Sequence, residues 1–134
     1  MISRRQATIA AIAGLIGITA SVPGLTKTAS PVARFDTDHD GTIDLAEAKS
    51  AAAKLFDRLD TDKDGTLTMR ELRGRLSHRA FVAADPDHDG TLTKDEYLAL
   101  VEQHFKATDA DNDGTVSASE FRRPAGRALI RLLD

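Results

Sequence analysis

The stretch DTDHDGTIDLAE, Asp36 to Glu47, decides how this chain is read. Acid stands at its first, third, fifth, ninth and twelfth positions, with one glycine at the sixth. The pattern returns as DTDKDGTLTMRE (Asp60 to Glu71), DPDHDGTLTKDE (Asp85 to Glu96) and DADNDGTVSASE (Asp109 to Glu120). Four copies in 134 residues make a repeat, and its chemistry is specific. Asp36, Asp38 and Asp40 can each supply an oxygen as the chain curls around a cation. Gly41 permits a sharp turn where a Cβ would clash. Thr42 offers its backbone carbonyl, Asp44 ligates directly or through water, and Glu47 closes the shell with two oxygens.

The same roles fall on Asp60, Asp62, Asp64, Thr66, Thr68 and Glu71 in the second copy. They fall on Asp85, Asp87, Asp89, Thr91, Thr93 and Glu96 in the third, and on Asp109, Asp111, Asp113, Thr115, Ser117 and Glu120 in the fourth. The sixth-position glycines are Gly41, Gly65, Gly90 and Gly114. Each copy resembles the calcium loop of the EF-hand. An all-oxygen shell suits a hard cation taking six to eight ligands, whereas zinc favours four, commonly Cys or His. The chain has no Cys, hence neither a disulfide nor a thiolate site. The loops hold 16 of its 21 acids as three Asp and one Glu apiece, with Asp44 and Asp95 in addition. Crowding that much charge without a counter-ion opposes folding, so a loose metal-free state is expected. The competing reading, acidic turns that bind nothing, fits one such loop far better than four.

Spacing adds a second inference. The loops start at 36, 60, 85 and 109, leaving 12, 13 and 12 residues between one closing Glu and the next opening Asp. That is room for little more than one helix. AKSAAAKLFDRL (Ala48 to Leu59) has apolar residues at 48, 51, 52, 55, 56 and 59, a helical period with one buried face. YLALVEQHFKAT (Tyr97 to Thr108) behaves alike, with Tyr97, Leu98, Val101 and Phe105 inward. One continuous helix in each gap sets loops 1 and 2 apart, and likewise loops 3 and 4. The middle gap, LRGRLSHRAFVAA (Leu72 to Ala84), contains Gly74 and Ser77, a helix breaker and an N-cap. Two short helices there would bring loop 3 beside loop 2 and leave loop 1 to loop 4. The apolar eighth positions, Ile43, Leu67, Leu92 and Val116, would form the short pairing strands. The expected fold is therefore all-α: a compact small helical bundle with four EF-hand loops at 24–25-residue spacing, loops 2 and 3 and loops 1 and 4 paired by short strands. A last helix, roughly residues 126 to 133, follows Pro124 and packs Ala128, Leu129, Leu132 and Leu133.

Phe35, Phe56, Phe81, Phe105 and Phe121 flank the loops and are expected in the core; the rival is an exposed target groove. Methionine is confined to Met1 and Met69, so an adaptable Met-rich surface is absent. His39, His78, His88 and His104 are read as surface or boundary residues.

The first residues read as an export signal. Arg4 and Arg5 precede an apolar run, ATIAAIAGLIGITA (Ala7 to Ala20), and a break comes at Ser21, Pro23 and Gly24. SRRQ at Ser3 to Gln6 is a faint twin-arginine signal, and a retained membrane anchor is the alternative. The expected division is a signal peptide over 1–24 and an exported metal-binding domain over 25–134. Loss of the leader takes the formal charge from -3 to -5 by removing Arg4 and Arg5. No basic patch with interleaved aromatics suits nucleic acid, and no membrane contact is expected after signal removal.

With these features together, the chain resembles the lanmodulins, small periplasmic EF-hand proteins that bind lanthanide ions in preference to calcium. The resemblance is carried by the 24, 25, 24 spacing, FDRLD before loop 2, ELRGRLS after it, and the RPAGRALIRLL tail (Arg123 to Leu133). It implies up to four lanthanide(III) or Ca2+ ions per chain. The family pattern has Pro at loop position 2, kept here only by Pro86, while Thr37, Thr61 and Ala110 replace it. It also tends to have Asp at position 9, kept only by Asp44. The implied function is a periplasmic lanthanide carrier, buffer or sensor that folds around its ions. The alternatives are a periplasmic calcium-binding protein and a metal-dependent interaction module, with a homodimer or a periplasmic protein as partner. No catalytic constellation is visible, and an enzyme is not expected.

Overall fold

The computed structural model describes residues 30–134; the expected export signal lies outside them. In chain order the elements are α1 (Pro31–Phe35), β1 (Thr42–Asp44), α2 (Leu45–Leu59), β2 (Thr66–Thr68), α3 (Met69–Leu72), α4 (His78–Ala84), β3 (Thr91–Thr93), α5 (Lys94–Thr108), β4 (Thr115–Ser117), α6 (Ala118–Phe121) and α7 (Pro124–Ile130). None of the described helices is long and apolar enough to cross a membrane.

The two long helices organise the molecule. α2 and α5 have 15 residues each, about 22 Å at 1.5 Å per residue. Each leads out of one loop and into the next, so the loops they join sit at opposite ends. α2 buries Ala48, Ala52, Leu55 and Phe56, and α5 buries Tyr97, Leu100, Val101 and Phe105. Those faces pack on each other, with the Phe56 and Tyr97 rings tilted at a centroid separation of 5.8 Å. Full burial of a side chain of this size stabilises the fold by about 1.5–3 kcal/mol. Leu100, unassigned in the sequence reading, is deeply buried, whereas Leu98 is only partly so.

The expected loop pairing is present. β2 pairs antiparallel with β3, with Leu67 opposite Leu92. β1 pairs antiparallel with β4, with Ile43 opposite Val116. All four apolar residues are fully buried. The middle linker breaks as its residues demand. α3 ends at Arg73 in the left-handed region (φ 47), Gly74 comes next at φ 76, and the Ser77 hydroxyl accepts from the Ala80 N–H at 3.2 Å to cap α4.

Phe56, Phe81, Phe105 and Phe121 are buried and Phe35 partly so, which places the phenylalanines in the core. The last helix starts earlier than the apolar pattern indicated. Pro124 occupies its first turn, where a missing N–H does no harm. It ends at Ile130, and a turn then carries Leu132 and Leu133 inward, while Ala128 is only partly covered. The tail is tied down by the Tyr97 hydroxyl, which donates to the Leu132 carbonyl at 2.9 Å. Arg34 and Arg75 both hydrogen-bond Asp134.

Candidate metal centres

The four loops are built by one local mechanism. The first Asp of each loop ends the preceding helix and is buried or nearly so: Asp36 9%, Asp60 6%, Asp85 3% and Asp109 8% exposed. Its Oδ2 accepts the N–H of the sixth-position glycine at 3.0, 3.1, 3.0 and 3.0 Å. The glycines stand at φ 89, 84, 85 and 87. A Cβ at any of them would meet nothing within 4 Å, which corrects the expectation of a clash. Glycine is needed there for its backbone conformation, not for lack of space.

The ninth position has a task the sequence reading did not assign. Asp44, Thr68, Thr93 and Ser117 are the N-caps of the exit helices, each in a reciprocal capping box with the loop's glutamate. Thr68, Thr93 and Ser117 also donate their hydroxyls to Glu71, Glu96 and Glu120 at 2.9, 3.0 and 2.9 Å. The Asp44 side chain accepts from the Glu47 N–H at 2.7 Å. Position 7 likewise acts through its side chain. The hydroxyls of Thr42, Thr66, Thr91 and Thr115 donate to the fifth-position Asp at 2.7, 2.8, 2.8 and 2.8 Å.

Carboxylate oxygens converge in all four loops. Asp36, Asp38 and Asp40 come together in the first, Asp60, Asp62 and Glu71 in the second, Asp85, Asp87 and Glu96 in the third, and Asp109, Asp111 and Glu120 in the fourth, each set within 4.8 Å. Glu47 stands outside the first set. Its Oε1 accepts from the Thr37 N–H and hydroxyl at 2.6 and 2.8 Å. Asp64, Asp89 and Asp113 stand outside theirs, each held by its threonine hydroxyl.

Position 2 feeds the same glutamate. The N–H groups of Thr37, Thr61 and Ala110 donate to Glu47, Glu71 and Glu120 at 2.6, 3.3 and 2.9 Å. Pro86 has no N–H to give.

The electrostatics are those of crowded like charges. The Asp40 N–H pulls the Asp38 carboxyl down, but lost solvation and the charges of Asp40 and Glu47 outweigh it and hold Asp38 above its ordinary value. Asp62 is raised in the same way, with Asp64 and Glu71 as neighbours. For Asp111 desolvation comes first, then Asp113 and Glu120. Asp87 is raised chiefly by its contact with the Asp85 carboxyl. Asp36 is desolvated too, yet the N–H groups of Gly41 and His39 bring it below the usual range.

These loops fit a hard cation. The donors are all oxygen, and the raised third-position acids are raised in part by repulsion a cation would relieve. In the third loop Asp85 Oδ1 is buried with no hydrogen-bond partner, a cost that a bound ion would remove. The histidines take no place in these sets. His39, His78 and His88 are exposed and His104 is half-buried.

Comparison with known proteins agrees with this construction. The family model described as EF hand matches residues 33–48, 52–77, 78–101 and 102–123. The chain is also similar to lanmodulin of Methylorubrum extorquens, at 53% identity over 66 residues. That alignment covers 49% of this chain and 50% of the relative, so it spans about half of each. It bears out the resemblance drawn from loop spacing and tail.

Proposed function

Because this chain belongs to the EF-hand family, we propose that it is an exported, periplasmic protein that binds up to four lanthanide(III) ions and acts as their carrier, buffer or sensor. The observation that carries the proposal is the convergence of three carboxylates in each of four loops. The likeness to lanmodulin supports the choice of ion. Ligands would come from positions 1, 3, 5, 7, 9 and 12 of each loop, the position-7 residue giving its backbone carbonyl. In the first loop these are Asp36, Asp38, Asp40, Thr42, Asp44 and Glu47. A trivalent ion of calcium's size gains more from four or five carboxylate charges than calcium does, most of all where water is excluded. Ion binding would relieve the repulsion in each loop and so favour the folded state.

Calcium is the second reading. It is favoured by Thr37 and Thr61, which depart from the lanmodulin pattern and bind the closing glutamates directly. A competitive titration of the metal-free chain with buffered free La3+ and Ca2+ separates the two, with helical circular dichroism as readout. Folding at free La3+ many orders of magnitude below the Ca2+ needed is the expected result. A gap no larger than one extra charge gives any calcium loop would make this a calcium protein. Ion-dependent change in molecular mass would point instead to an interaction module.

A further inference from the structure

The fourth loop differs from the other three in that its closing glutamate is buried. Glu120 is 5% exposed, whereas Glu47, Glu71 and Glu96 are only partly covered. The loops share the DxDxDG…E pattern, and it is the chain beyond the glutamate that differs. α2 and α5 run on from Glu47 and Glu96 as long helices, and α3 gives way to an open turn at Arg73 and Gly74. α6 instead stops at Phe121, and Pro124 starts α7, which folds back onto it.

The approach is unusually close. A Cβ on Gly126 would lie inside 3.0 Å of the Glu120 carbonyl oxygen and of Phe121 Cα, and 2.7 Å from the Phe121 carbonyl carbon. All three are backbone atoms, so no side-chain rotation relieves the contact. Gly126 is buried within α7 and is not among the residues of positive φ. Glycine weakens a helix interior and is not required there for backbone conformation. What it permits is the seating of α7 on the Glu120 backbone.

The Glu120 carboxylate is held in turn. Oε1 accepts the Ala110 N–H at 2.9 Å, and Oε2 accepts the Ser117 N–H and hydroxyl, both at 2.9 Å. We infer that Gly126 is a positioning residue for the fourth metal loop: by letting α7 lie on the Glu120 backbone, it holds this ligand in its binding geometry and makes loop 4 the first to fill. Through the β1–β4 pair, loop 1 shares part of the gain. This inference rests on the metal-binding reading under Proposed function.

The four position-6 glycines provide a site-resolved test. Each N–H donates to the first Asp of its own loop, so its 1H–15N signal reports that loop. The labelled full chain is titrated with buffered, diamagnetic La3+. In the unaltered protein Gly114 should reach saturation at the lowest free La3+. In Gly126→Ala its midpoint should rise about 10- to 100-fold, the range for losing a group that orients a ligand. Gly41 should shift by less, and Gly65 and Gly90 should hardly move. Ala52→Gly, which weakens α2 away from α7, should shift all four by a common factor. Gly114 saturating last in the unaltered chain overturns the inference, even if Gly126→Ala fails to fold. So does a Gly126→Ala shift shared equally by all four loops. If no glycine signal responds to La3+, the metal-binding reading itself fails and the inference falls with it.

Discussion

Leu67→Ala tests the pairing of loops 2 and 3 without touching any carboxylate. Leu67 is fully buried at the centre of β2, directly opposite Leu92 of β3. Truncation removes three carbons, about 2.4 kcal/mol of transfer free energy at about 0.8 kcal/mol per methylene. The cavity left behind brings the total to about 2.7–5 kcal/mol. For a domain of this size the thermal midpoint at a fixed free La3+ concentration should fall by on the order of 10 °C or more. The backbone pairing of Thr66 with Thr93 and Thr68 with Thr91 remains possible, so the strand should loosen and not vanish. Because one strand pair serves both loops, La3+ binding should weaken at Gly65 and Gly90 together, each by about tenfold if some 1.4 kcal/mol reaches it. Circular dichroism melting gives the first quantity, and La3+ titration read at the glycine amides gives the second. A loss confined to Gly65, with Gly90 unchanged, would refute the coupling. Equal loss at Gly41 and Gly114 would show general loosening in place of transmission through the strand.

Tyr97→Phe removes the buried bond from the Tyr97 hydroxyl to the Leu132 carbonyl; it should lower stability by about 1–3 kcal/mol in thermal unfolding, the range for leaving a buried acceptor unmet. Asp62→Asn should act with opposite signs: less repulsion from Asp64 and Glu71 raises the helical content of the metal-free chain, while loss of a charged ligand weakens La3+ binding at Gly65 by about tenfold or more. Glu102 bonds both Lys106 and Lys49 at 2.7 Å, which lowers its carboxyl from an ordinary 4.5 to about 2. A depressed acid contributes stability above its unfolded pKa and loses it as pH falls through the folded value. The stability difference between the unaltered chain and Glu102→Gln should therefore be constant above pH 4.5, shrink below it and be gone near pH 2 in acid-unfolding curves.

Much of the molecule is legible in the order of its residues, because EF-hand chemistry is local. The ligand pattern lies within twelve consecutive residues, and the positive φ of Gly41, Gly65, Gly90 and Gly114 belongs to that same short turn. Even the pairing of loops comes from linear facts. The gaps Ala48 to Leu59 and Tyr97 to Thr108 lack helix breakers, while Gly74 and Ser77 interrupt the middle one. A rigid helix separates its ends, and a turn brings them back.

The side-chain bonds inside the loops are not legible in the pattern. The pattern assigns Thr66 a backbone carbonyl, but its hydroxyl binds Asp64. It names Glu47 as a ligand, yet the carboxylate leans toward Thr37. Such choices depend on which of several nearby donors comes within reach, and residue identity alone does not rank them. The order of residues is enough for the four oxygen-rich loops, the helices that space them and the strands that pair them. Packing between elements sets the rest: Leu100 turns inward, Asp85 Oδ1 is left without a partner, and α7 seats Gly126 against the Glu120 and Phe121 backbone. These are contacts between elements, set by how closely two backbones approach, and no local period in the chain encodes that distance.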